Sequence, residues 1–208
     1  VPLIYTQTID EHTQLGVWHI TEPEYFFAEK VPLGRSITHP HKRLQHLAGR
    51  YILQALVPQF PIHLIQIADT RKPYLENESH HFSISHCGNY AAAIVSTQHR
   101  VGIDVETPTD RILSIAHKFF TPQEQALLQA AGLTANPHHA TLVWSIKESL
   151  FKWYGLGEVD FKAHLKLHSI DAVGNIVHAQ IVKPESIDKL LVVHYQWLPP
   201  VWLSFTMG

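Results

Sequence analysis

Cysteine is nearly absent: Cys87 stands alone among 208 residues, so no disulfide can close within the chain and no Cys-rich zinc site can be built. Charge is sparse as well. Asp, Glu, Lys and Arg together make 16% of the residues, and they nearly cancel to a formal −2. Such a balance advertises no general basic face for nucleic acid, although a local basic pocket is compatible with it. No apolar run approaches the roughly 20 residues needed to span a bilayer. The segment Val1–Asp10 lacks the basic start and apolar core of a signal peptide. Together these absences set the expectation of a cytoplasmic protein that engages neither membrane nor nucleic acid.

What is present is an ordinary globular composition, 45% hydrophobic, on a chain long enough to bury a sizeable core. Histidine is abundant, at 17 residues, but His80-His81 and His138-His139 sit in polar, turn-like stretches and no HExxH pattern occurs. Most of these histidines therefore read as solvated or hydrogen-bonded surface groups.

Local patterns predict a strand over 16–20 and a helix over 41–56, where leucines and Tyr51 recur at helical spacing before Pro58. A short strand is expected at 62–67 and another at 81–85. Residues 90–96 and 101–106 read as two buried strands paired around a turn at Gln98-His99-Arg100. A helix is expected over 112–120. Thr121-Pro122-Gln123-Glu124 then has a capping residue, a proline for the first helical position and a glutamate that can reach back, and a helix follows through Leu128. A further helix over about 140–154 ends at Gly155, and the tail from Leu165 is strand-rich. The fold class expected is α+β with mainly antiparallel strands.

Three stretches could carry chemistry. On a strand, side chains two apart share a face, so Asp104 and Glu106 should project together while Ile103 and Val105 face the core. Two neighbouring carboxylates repel unless a cation lies between them, and magnesium suits oxygen donors; a solvated strand end is the plainer alternative. In the segment 144–152, Trp144, Glu148 and Lys152 fall on one helical stripe. Glu148 and Lys152 are explained equally by a surface ion pair or by a metal ligand beside a phosphate contact. Basic residues precede them: Lys42, Arg43, Arg50, Arg71 and Lys72, with Lys72 held extended by Pro73. Ser85-His86 ends a strand before a glycine turn, a suitable place for binding side chains. Adjacent strand residues point opposite ways and no GxSxG elbow exists, so a Ser-His hydrolase is not indicated.

In order and spacing, five segments resemble the 4'-phosphopantetheinyl transferase superfamily: Arg71-Lys72-Pro73-Tyr74, Phe82-Ser83-Ile84-Ser85-His86, Gly102-Ile103-Asp104-Val105-Glu106, Phe119-Phe120-Thr121-Pro122-Gln123-Glu124, and Trp144-Ser145-Ile146-Lys147-Glu148-Ser149 through Lys152. The length resembles the larger class, a pseudodimer of two similar α/β halves, which would fall at 1–98 and 99–208 with the active site at their interface. The resemblance implies a magnesium-dependent enzyme that moves the phosphopantetheine arm of coenzyme A onto a serine of an apo acyl or peptidyl carrier protein, releasing 3',5'-ADP. It implies Asp104, Glu106 and Glu148 as magnesium ligands and Lys152 on the phosphate under attack. It implies Lys72 and His86 on the adenosine phosphates, with Ser85 lining the same pocket. Glu124 matches the position proposed as the base, and a helix-capping role explains it as well. Arg43 and Arg50 compete for the 3'-phosphate, with Gln45 near the aligned position. A monomer is expected. The alternatives are another metal-dependent phosphoryl-transfer enzyme or nuclease, and a non-catalytic coenzyme A binder.

Overall fold

The computed structural model describes residues 3–34 and 36–208, so Val1 and Pro2 of the N-terminal segment lie outside the described residues. The chain divides into two compact units, Val1–Val101 and Gly102–Gly208.

The first unit opens with strands β1 (Leu3–Thr8) and β2 (Thr13–His19), followed by the short helix α1 (Glu24–Ala28) and the 17-residue α2 (Pro40–Leu56). A two-residue pair, β3 (Gln66–Ile67) and β4 (Pro73–Tyr74), precedes β5 (His81–Cys87) and β6 (Tyr90–Ser96). The main sheet runs β1-β2-β6-β5, antiparallel throughout. Leu47, Ile52 and Leu53 of α2 are buried with Trp18, Phe27 and Phe82 in one core. Gly49 permits the close approach, since a Cβ there would meet Ile84 Cγ2 at 2.5 Å.

The second unit contains β7 (Val101–Glu106), α3 (Arg111–Ile115), α4 (Pro122–Ala130), the 18-residue α5 (Pro137–Tyr154), and four strands: β8 (Leu165–Asp171), β9 (Ile176–Lys183), β10 (Ile187–Leu198) and β11 (Val201–Met207). Its sheet runs β7-β11-β10-β9-β8. Leu142, Val143, Ile146 and Leu150 of α5 form a second core with Val177, Ile181 and Val193. Both long helices start as capping chemistry dictates, His39 and Asn136 each accepting from a first-turn N–H, and α5 stops at Gly155.

The architecture is therefore mixed α+β with mainly antiparallel sheets, as the sequence predicts. Three local expectations change. Residues 62–67 are not one strand but a 3-10 turn, Ile62–Leu64, and the two-residue β3. The helix expected over 112–120 is α3 followed by a tighter 3-10 turn, Ala116–Lys118. The strands at 90–96 and 101–106 do not pair with each other. A strand has two hydrogen-bonding edges, and those of β6 are filled by β2 and β5, so β7 joins the other sheet beside β11. Among the described residues, no helix is long and apolar enough to cross a membrane.

Candidate active site

Strand alternation places Gly102, Asp104 and Glu106 on one face of β7, and that face lies against α5. A Cβ on Gly102 would collide with the Ser149 carbonyl and the Trp153 backbone nitrogen, so helix and strand touch backbone to backbone there. Two residues along the same face, Asp104 is only 1% exposed. Ile103 and Val105 are fully buried on the opposite side, as expected. Asp104 is thus no solvated strand end. Lys152, about one turn beyond Glu148 on the helix stripe, donates from Nζ to Asp104 Oδ1 at 2.6 Å.

Glu148 sits in the same electrostatic neighbourhood. Burial pushes its carboxyl up to about 7, the charges of Asp104 and Glu106 add to the rise, and Lys152 opposes it. Three acids and one ammonium therefore share a partly desolvated space, and their balance is negative. Lys152 thus acts on Glu148 through its charge and bonds across to Asp104 on β7. Trp144, the third residue of that stripe, packs edge-on against Phe119 and stacks on Phe161, each at 5.2 Å between centroids.

The donor chemistry suits magnesium, which takes one or two carboxylates and completes its shell with water and phosphate oxygens rather than an all-protein cage. Among the described residues, no group of three or more His, Cys, Asp or Glu side chains converges closely enough to cage a metal ion. What the structure does show is a cation, the Lys152 ammonium, already drawn onto Asp104.

Glu124 stands apart from this group in its bonding. It completes the capping box that the sequence announces: Thr121 N donates to its Oε2 at 2.9 Å and Thr121 Oγ1 accepts from its backbone N–H at 3.2 Å. Its Oε1 pairs with Lys147 Nζ at 2.7 Å and accepts from Leu167 N at 3.2 Å. Lys147 is the functional candidate that sequence reasoning missed. The available signal was its place on the apolar stripe, between Val143 and Leu150, where a solvated lysine has no business.

The remaining candidates lie in the first unit. Lys72 is half-buried, and desolvation together with the charge of Arg100 lowers its pKa to about 8. Ser85 is buried and His86 exposed, opposite faces as the strand requires. The turn after them is tied to α2, since the Gly88 carbonyl accepts from Gln45 Nε2 at 2.8 Å and meets His41 Nε2 at 3.1 Å. Arg43 donates to Glu24 Oε1 at 2.7 Å and to the Ile37 carbonyl at 2.9 Å. Arg50 Nη1 lies 3.0 Å from His46 Nδ1. Gln45 and His41 of α2 therefore stand at the Ser85-His86 turn, while Arg43 bonds toward α1 and the 37 loop.

Residues 100–194, which hold the acidic strand β7 and the helix α5, match the model of the 4'-phosphopantetheinyl transferase superfamily. The resemblance read from the motifs is thereby borne out. Individual relatives agree. A 4'-phosphopantetheinyl transferase of Bacillus subtilis is 36% identical over 87 residues, 41% of this chain and 38% of the relative. The 4'-phosphopantetheinyl transferase gsp of Aneurinibacillus migulanus is 32% identical over 112 residues, 53% and 46% of the two chains. Enterobactin synthase component D of Salmonella typhi is 28% identical over 158 residues, 69% and 66%. The matches thus span from about two fifths to two thirds of these relatives' length.

Proposed function

We propose that this protein transfers the 4'-phosphopantetheine arm of coenzyme A to a serine of an apo carrier protein and releases 3',5'-ADP. The observation that carries the reading is the Asp104–Lys152 bond beside Glu148, inside the region that matches the superfamily. In this reading Asp104, Glu106 and Glu148 supply oxygen donors for magnesium, which when bound offsets the charge of the pyrophosphate. Lys152 trades Asp104 for the phosphate under attack and stabilises the charge that develops there. Lys72, Ser85 and His86 take the adenosine phosphates, with Arg43 and Arg50 the arginines put forward for the 3'-phosphate. The serine oxygen bonds to the phosphorus next to the pantetheine arm, the bond to the bridging oxygen breaks, and 3',5'-ADP leaves with that electron pair. A base must take the serine proton; resemblance assigns that part to Glu124, whose oxygens here already accept from Thr121, Leu167 and Lys147.

The finer assignments belong to the same proposal: a cytoplasmic monomer of the larger, pseudodimeric class. Support for the class comes from each unit's long helix, 17 residues in α2 and 18 in α5, packed on a largely antiparallel sheet. A nuclease built on the same carboxylates is not favoured, since the chain's net charge of −2 offers no evident track for a polyanion.

The test is incubation with coenzyme A, magnesium and a panel of apo-carrier proteins from fatty-acid, polyketide and peptide assembly, read by intact mass. A phosphopantetheine gain on one carrier is the expected result, and no gain on any carrier sinks the proposal. Asp104→Ala and Glu148→Ala should each lower transfer by about 100-fold or more. His138→Ala should not, because His138 packs between Trp197 and Trp202, with ring centroids at 4.4 and 4.7 Å.

A further inference from the structure

We infer that the buried Glu124–Lys147 pair is a positioning device that fixes α5 so that Glu148 and Lys152 meet Asp104, and that Glu124 is an anchor rather than the base. The inference rests on the transfer reading above and sharpens it.

Lys147 is fully buried, and its ammonium has three acceptors: Glu124 Oε1 at 2.7 Å, the Phe119 carbonyl at 2.5 Å and the Phe161 carbonyl at 2.9 Å. That number matches the three protons it carries. Glu124 is 3% exposed, and donors occupy both of its oxygens. A base must come within hydrogen-bond reach of the acceptor hydroxyl, directly or through one water. A carboxylate closed off in this way would have to abandon a buried ammonium to do so, which is strongly unfavourable.

The same contacts explain what the pair does hold. Lys147 lies at the middle of α5, Glu124 in the first turn of α4, Phe119 just ahead of it, Phe161 beyond the end of α5, and Leu167 in β8. One ion pair therefore ties four segments to a single point on α5. Trp144, one turn earlier, packs against Phe119 and Phe161, the two residues whose carbonyls Lys147 takes. The apolar contacts of Val143, Ile146 and Leu150 hold the helix in place but are non-directional, and a small slide or roll disturbs them little. The ion pair is directional. Glu148 follows Lys147 immediately and Lys152 lies five residues on, so a one-residue slide would carry both backbones about 1.5 Å along the axis relative to Asp104.

Four proteins test this: the parent, Glu124→Gln, Lys147→Met, and the double variant. Removing one partner strands the other's buried charge, whereas removing both relieves that charge but leaves the Phe119 and Phe161 carbonyls without this donor and α5 without its tether. Each single variant should melt below the parent. At a temperature where all four are folded, each should show a kcat lower by about tenfold or more with little change in KM for coenzyme A, as expected when reacting groups are misplaced. The double variant should regain part of the melting temperature, while its kcat should stay about as low as that of the slower single variant, because both changes remove the same tether. A folded Lys147→Met protein that keeps the parent's kcat while Glu124→Gln is inactive would overturn the inference and restore Glu124 as the base. A double variant melting below both single variants, or four equal melting temperatures, would overturn the positioning device. A parent that modifies no carrier would sink the transfer reading alone, since the melting arm tests the pair independently.

Discussion

Single residues matter here where the fold makes their charge costly. Lys72 is the clearest case outside the acidic cluster, its pKa lowered to about 8 from 10.5 by burial and by Arg100. Between those values the unfolded chain binds a proton that the folded protein has released. Stability therefore rises with pH across that window, while below about 8 the folded state carries the full cost of the charge. An anion bound by Lys72 has the opposite preference, because it loses its cation as the pH passes 8. On the proposed assignment, KM for coenzyme A should climb from pH 7.5 to 9.5, and Lys72→Met should start with a high KM that changes much less over the same range. Identical pH profiles for parent and variant would remove Lys72 from the phosphate site. Glu124 shows how a residue can satisfy two descriptions at once. Its capping role is plain from Thr121-Pro122-Gln123-Glu124, yet its partner Lys147 is 23 positions away, and nothing local announces that pairing.

At the scale of elements, the decisive contact is β7 against α5. Gly102 allows it, because the Ser149 carbonyl and the Trp153 nitrogen occupy the space a side chain would need. Gly102→Ala should therefore push the helix from the strand at a cost of about 1–3 kcal/mol, read as a lower melting temperature. Transfer should fall with it, since Asp104 lies two residues along the same face and bonds to Lys152. A Gly102→Ala protein that melts and transfers like the parent would show that this contact has slack. The start of α4 was legible in the sequence because caps act within three residues, Thr121 accepting from Glu124 N; α5 starts at Pro137 behind the Asn136 cap, three residues before the expected 140. The pairing of strands was not legible. Short chain separation favoured a hairpin of β6 with β7, but β2 and β5 had already taken both edges of β6.

For the molecule as a whole, each unit has its own core. Trp18, Leu47, Leu53 and Phe82 belong to one cluster and Leu142, Ile146, Leu150 and Val193 to the other. Leu53 is fully buried, and Leu53→Ala should cost about 2–5 kcal/mol, depending on how far the cavity closes. Amide hydrogen exchange should then accelerate first in β1, β2, β5 and β6, with β8 to β11 keeping more of their protection. Equal acceleration in both sheets would mean that the two units open together.

The sequence by itself determined the long helices, the Thr121 capping box of α4, the mainly antiparallel α+β class and the ordered motifs that resemble one transferase superfamily. These rest on interactions within a few residues or on the identity of side chains. Tertiary structure alone decided that Asp104 is buried rather than solvated, that Lys152 bonds to it, that β7 leaves β6 for β11, and that Lys147 closes on Glu124. Each depends on which surface or strand edge distant segments leave available, and local propensity carries no information about that competition.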